Sequence, residues 1–245
     1  DQSWVINPFH PYYNRTTDWQ DELFRIAYQT DNYLSLNGSN QGFSYGVSLG
    51  YKNLQPIVIH TSYEQLNFRS NFSYKLTKNL EGSTRLSYSN SDYTRILSSS
   101  SNYLSALRAA VFTNPAFSPY DPETNEIVNW LGQREQRNPL ALAEKVPHSF
   151  NQKNYIINQT LTATIAKYFT LNTRLSLNTR GAEQSSYQPK YFDSNNPPRD
   201  IGKFYTSDSR TFMNENTLQY LRTIKKHRIN ALIGQSIQSD MTETI

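Results

Sequence analysis

Between residues 44 and 51 the chain reads SYGVSLGY. Tyr45, Val47, Leu49 and Tyr51 fall on one side, and Ser44, Gly46, Ser48 and Gly50 on the other. Period-two alternation predicts a β-strand, because successive side chains leave a strand on opposite faces. The same pattern recurs along the chain and predicts eight strands. The first covers about 29–37, and after the turn GSNQG (38–42) the second runs over about 43–51. In the third, 64–76, Leu66, Phe68, Phe72, Tyr74 and Leu76 oppose Gln65, Asn67, Arg69, Asn71, Ser73 and Lys75. The fourth, 80–89, sets Leu80, Thr84, Leu86 and Tyr88 against Glu81, Ser83, Arg85 and Ser87. A fifth (about 155–166) and sixth (171–180) follow, the latter with Leu171, Leu175 and Leu177 opposite Asn172, Arg174, Ser176 and Asn178. The seventh, about 210–220, is the least regular, since Asn214 and Asn216 fall in phase with Leu218 and Tyr220; the eighth covers 228–238.

The connections are sorted by length. Those after strands one, three, five and seven are short, whereas those after two, four and six are longer, up to about sixty residues. Short turns at one end and long loops at the other mark an outer-membrane barrel, with periplasmic turns and extracellular loops. Several strands have about the ten residues that a tilted bilayer crossing needs, and Tyr45, Tyr51, Tyr74 and Tyr88 sit toward strand ends on the apolar face, where a phenol can lie at headgroup level. The expected fold class is therefore all-β: an antiparallel transmembrane β-barrel segment of about eight strands, its apolar face against outer-membrane lipid.

The expected organisation is an extracellular loop segment over 1–28, two barrel hairpins over 29–89, and a long extracellular loop over 90–154. A hairpin over 155–180, a loop over 181–206, and a last hairpin with the start of the next loop over 207–245 complete it. On this orientation strand one descends from outside and strand eight returns there, and the chain ends in MTETI without an aromatic terminal residue. The expectation is a slice of a larger barrel that does not fold alone, because two open edges would invite aggregation.

Composition narrows the alternatives. Among 245 residues, 18 Tyr and 12 Phe favour strands. The 24 Lys and Arg against 20 Asp and Glu give a net charge of +4 without a run of five basic residues, so no nucleic-acid footprint is indicated. Zero cysteines exclude a disulfide scaffold and a thiolate metal site. No stretch approaches a transmembrane helix, which says nothing against strands that are apolar on one face only. No Ser/His/Asp-like catalytic constellation is identified, so no enzyme activity and no catalytic residue are expected. Two other readings stay open on the residues alone: a self-contained eight-stranded outer-membrane barrel acting as a small pore, and a soluble all-β carbohydrate-binding module.

Several stretches, taken in order, resemble the SusC/RagA family of TonB-dependent outer-membrane transporters. They are TTDWQDELFR (16–25), NYLSLNGSNQGFSYGVSLGYKN (32–53), PIVIHTSYEQLNFRSNF (56–72), YDPETNE (120–126), NPLALAE (138–144), QPKYF (188–192), ENTLQY (215–220) and KHRINALIGQS (226–236). Pro56 and His60 depart from the family's usual residues, and the first fifteen residues match nothing. The resemblance implies a piece, without plug or TonB box, of a barrel of about twenty-two strands. It further implies import of oligosaccharides or peptides driven by the TonB complex, with a SusD-like surface lipoprotein as partner.

Candidate site residues follow. The polar ladder Asn67, Arg69, Asn71, Arg85, Asn172, Arg174 and Asn178 is expected to face the lumen, either as a hydrated wall or as plug and solute contacts, with Arg69, Arg85 and Arg174 suited to plug carboxylates. The loop from residue 90 opens on SSSSNYLSALRAAVF (98–112), where Ser or Asn can cap a short helix. Its aromatics Tyr103, Phe117, Tyr120 and Trp130 can stack on sugar rings or peptide side chains, or pack the loop onto itself. DPETNE (121–126) offers oxygens for Ca²⁺, but its spacing is not an EF-hand and turn chemistry accounts for it, so neither metal nor cofactor is expected. His10, His60, His148 and His227 show no ligand spacing, and Trp19 beside Asp18 and Asp21 is expected to anchor a loop.

Overall fold

The computed structural model describes residues 16–96, 104–132, 136–192 and 197–245. The expectations for His10 and Tyr103 lie outside the described residues. Eight long strands form one antiparallel sheet: β1 (Tyr28–Asn40), β2 (Phe43–Gln55), β3 (Ser62–Thr77), β4 (Leu80–Ile96), β7 (Pro147–Ile165), β8 (Phe169–Gln188), β9 (Ile201–Ile224) and β10 (His227–Thr244). Each pairs with its neighbours in chain order, and β1 does not pair with β10, so the sheet stays open. A closed eight-stranded barrel is therefore not what these residues form.

Cross-strand register carries the alternation from strand to strand. One row reads Leu36, Val47, Ser70, Leu86, Ile157, Leu177 and Phe212 across seven strands. The adjacent row reads Asn37, Gly46, Asn71, Arg85, Asn158 and Ser176. A one-residue slip anywhere would exchange the two faces, so the pattern specifies the register. Among the described residues no second layer covers the apolar face: Leu34 and Ile233 are about 70% exposed at 71% and 70%, and Leu36, Leu49, Ile157, Phe212 and Ile237 are also open. A sandwich would bury this face in a core, and it does not. So wide an apolar surface belongs against lipid.

The strands outrun the expected bounds. β9 has 24 residues, β8 20 and β7 19, so much of the expected loop over 181–206 and the flanks of 90–154 are strand. A bilayer crossing uses only about 9–11 of these. Beyond it the apolar face gives way to Glu64, Asp92, Asn151 and Glu183 while Tyr63, Tyr93 and Phe150 pack on the other face, so the alternation is lost although backbone pairing continues.

The buried core lies instead at the long-loop end. Helices α1 (Trp19–Leu23), α2 (Ala106–Phe112) and α3 (Pro139–Lys145), the short pair β5 (Trp130–Leu131) and β6 (Gln136–Arg137), and a 3₁₀ turn at Lys190–Phe192 fold together. Leu23, Ile96, Ala106, Leu140, Ala141, Leu142, Val146 and Phe192 form its centre. Ser105 caps α2 through Arg108, as the sequence suggested; α1 and α3 were not expected. At the short-turn end, neighbouring hairpins are stitched by backbone bonds: Lys75 to Gly42 O (2.7 Å), Thr164 to Asn79 O (2.8 Å) and Leu221 to Tyr168 O (2.9 Å).

Candidate functional site

All seven ladder residues share the polar face. Asn67, Arg69 and Asn71 on β3 stand beside Arg85 on β4, and Asn158 and Ser176 carry that row to β8, where Asn172, Arg174 and Asn178 lie in phase. Two open pockets dent this face. One, of about 300 Å³, is lined by Asp31, Tyr33, Ser48, Lys52, Asn67 and Arg69 among others. The second, of about 400 Å³, lies over β8–β10 and is lined by Asn172, Arg174, Glu215, Thr217, Gly234 and Ser236. Arg174 Nη1 stands 3.4 Å from Glu215 Oε2, with both side chains partly exposed. Glu215 was not singled out from sequence; its position inside ENTLQY, in phase with polar β9 positions, was the available signal. The Oδ1 of Asn172 is buried without a hydrogen-bond partner among the described residues. The pocket thus offers a guanidinium donor and a carboxylate acceptor, a mixture suited to hydroxyl- or amide-rich solutes.

The apolar face carries a polar inlay that the ladder did not anticipate. Thr84 Oγ1 donates to Gln159 Oε1 (2.6 Å), whose Nε2 donates to Tyr74 Oη (2.8 Å). Asn216 Nδ2 likewise donates to Asn214 Oδ1 (2.6 Å). These bonds satisfy amides that hydrocarbon would otherwise leave unpaired, which explains the irregular seventh strand. Tyr74 also lies flat over Gly82, where an added Cβ would come 2.3 Å from the ring.

At the long-loop end the structure draws the loop aromatics inward. Phe117 packs on Gly132, whose φ of +57° requires glycine, and its carbonyl accepts from Thr17 Oγ1 at 2.7 Å. Tyr120 donates its hydroxyl to Glu22 Oε2 at 3.0 Å; burial first, and that carboxylate second, raise its pKa above 10.0. Trp130 packs against the core with Phe192 beside it (6.1 Å between rings) and the Arg137 guanidinium 5.2 Å from its ring centroid. Trp19 is buried and donates to Asn114 O at 3.2 Å, the anchor expected of it. Asp121 Oδ1 accepts from the backbones of Glu123 (2.9 Å) and Thr124 (3.0 Å), which hold its carboxyl below the usual value: turn chemistry occupies it.

Asn138, fully buried, ties this cap together. Its Oδ1 caps α3 at Leu140 N (3.0 Å), and its Nδ2 donates to Pro119 O (2.8 Å) and Val128 O (2.7 Å). Asn before Pro, ahead of LALAE, is a readable helix start.

An open antiparallel sheet with one lipid-suited face, one polar face, short turns at one end and folded loops at the other is a slice of a transmembrane β-barrel. More particularly, the chain resembles TonB-dependent receptors and the RagAB importer. No family model matches it. It is 26% identical over 241 residues, 93% of its own length, to TonB-dependent receptor P26 of Formosa agariphila. It is 39% identical over 57 residues to TonB-dependent receptor SusC of Bacteroides thetaiotaomicron, covering 23% of this chain and 6% of that protein. The RagAB peptide importer in its closed-closed state shares the fold with a TM-score of 0.72 at 20% identity, over 94% of this chain and 27% of that one. The matched proteins are receptors and transporters rather than enzymes, and the chain spans about a quarter of the length of receptor P26 (23%) and of the RagAB chain (27%).

Proposed function

We propose that this chain is a stretch of wall and extracellular cap of an outer-membrane importer. It lies in lipid with its short turns toward the periplasm, and the polar face lines the path of an oligosaccharide or peptide too large for a passive pore. Uptake is energised by the TonB complex and shared with a SusD-like surface lipoprotein. The observation that carries this reading is the separation of a mainly apolar and a polar face carried in register across the hydrogen-bonded strands of one sheet. In lipid, β1 and β10 require further strands on their free edges, since hydrocarbon offers no other hydrogen-bond partner. The polar-face pocket around Arg174, Glu215 and Asn172 serves as a solute contact, and the ladder arginines are available to plug carboxylates.

The test is uptake of fluorescent oligosaccharide and peptide pools by cells that carry the intact protein, compared with cells lacking it. Uptake that requires both this protein and a working TonB system supports the proposal. Uptake that persists without TonB would make the protein a passive pore.

A further inference from the structure

At their short-turn ends the last two hairpins carry only positive charge. No Asp or Glu occurs between Glu144 and Glu183, nor between Glu215 and Asp240. Within those spans Lys167 lies in the β7–β8 turn, and Arg222, Lys225, Lys226, His227 and Arg228 surround the β9–β10 turn, all exposed. At the β3–β4 turn, by contrast, Lys75 is paired with Glu81 at 3.6 Å.

The cations also stand beside an aromatic rim. Arg222 is in register with Ile229, in phase with Tyr220 on the apolar face. Its guanidinium lies 4.8 Å from the Tyr168 ring centroid and the Lys167 ammonium 5.8 Å from it, while Phe169 and Tyr220 pack 4.9 Å apart just inside. Aromatic rings in this position mark the headgroup boundary, and long cationic side chains one step beyond reach headgroup phosphates.

Backbone conformation supplies an independent observation. Lys225 has φ +51° and Ala166 φ +53°, the left-handed region where glycine or asparagine sits without strain. Positive φ falls at Lys225 and not at Lys226, the type II′ pattern, so Gly-Asn would be the relaxed choice for this two-residue turn. Strain retained at a charged turn points to use of the charge.

We infer that the β7–β8 and β9–β10 turns form a basic collar that binds the phosphate of an anionic phospholipid headgroup in the leaflet at the short-turn end. The inference rests on the barrel reading above. A phosphodiester fits because it brings the missing negative charge at the depth where Arg222 and Lys167 are held by Tyr168, whereas a soluble polyanion would have no use for the aromatic rim.

The test uses the intact protein in nanodiscs of phosphatidylcholine with a minor fraction of phosphatidylglycerol, with retained lipid counted by native mass spectrometry after detergent release. The variant K225G/K226N removes two charges and installs the relaxed turn, so it folds at least as well as wild type. R222Q removes the third. Enrichment of phosphatidylglycerol on wild type, falling roughly fivefold per cation removed, is expected. Insertion with equal retention of both lipids overturns the collar and leaves the barrel reading intact, as does enrichment that survives all three substitutions. Binding of a soluble polyanion to the turns without lipid enrichment also overturns it. Failure to insert at all overturns the barrel reading, and the collar with it.

Discussion

Replacing Asn138 separates the two jobs of one buried amide. In Asn138→Ala the α3 cap is lost, worth about 1 kcal/mol, and the carbonyls of Pro119 and Val128 lose a donor in a dry setting, at about 1–3 kcal/mol each. The expected sum is about 3–7 kcal/mol of cap stability. Asn138→Asp keeps an equally good capping oxygen but faces those two carbonyls with a carboxylate, so it loses the bridging bonds alone and still costs about 3 kcal/mol. Hydrogen exchange on the intact protein in detergent reads this directly. Amides of 105–146 should exchange roughly a hundredfold faster in both variants, while the strands spanning the membrane keep their protection. Wild-type protection in Asn138→Asp beside collapse in Asn138→Ala would show that capping alone matters, and the bridging argument would fail.

Other outcomes follow from the same contacts. Gly82→Val drives Tyr74 off its seat and breaks its bond to Gln159, so it lowers the heat resistance of the reconstituted barrel by about 1–3 kcal/mol despite better strand propensity, as followed by gel mobility after heating. Glu215→Ala leaves stability within about 1 kcal/mol, because the Arg174 pair is partly exposed, yet it changes solute uptake; unchanged uptake for every solute tested would remove the pocket from the pathway. The Asp121 turn is supported while its carboxyl is ionised, above the ordinary aspartate range, and that support is lost as pH falls through its depressed value. Limited proteolysis at 121–126 should therefore rise only in strong acid, and Asp121→Asn should abolish the pH dependence.

How much of this was legible depends on which physical signal each element leaves in sequence. The lipid-level strands were readable because one face is apolar and the other polar, and the register rows through Val47, Leu86 and Ile157 bear out the assigned faces. The upper parts of β8 and β9 were not, since Glu183, Ser185 and Asp208 replace apolar residues on the apolar face there while hydrogen bonding continues. Asn214 and Asn216 looked like a break in the seventh strand; they are a hydrogen-bonded pair inlaid in it. Of the cap only α2 was expected, from its capping serine; the rest was missed for another reason. Its helices have five or seven residues, too few for helical periodicity, and they hold together through contacts far apart in the chain, such as Trp19 with Asn114 and Tyr120 with Glu22. Arg174 was read as a donor awaiting an outside carboxylate, because nothing in β8 alone announces Glu215 opposite it.

The pairing order of the large sheet bears on how such a wall changes over generations. Every long strand bonds only to the long strand before it and the one after it. A hairpin is thus a self-contained unit of inheritance: duplicate or delete one, and the flanking strands still meet antiparallel, with their two faces on the correct sides. An odd strand would reverse that sense. Circumference can therefore grow or shrink in steps of two strands, while the loops at the far end diversify without rewiring anything beneath them.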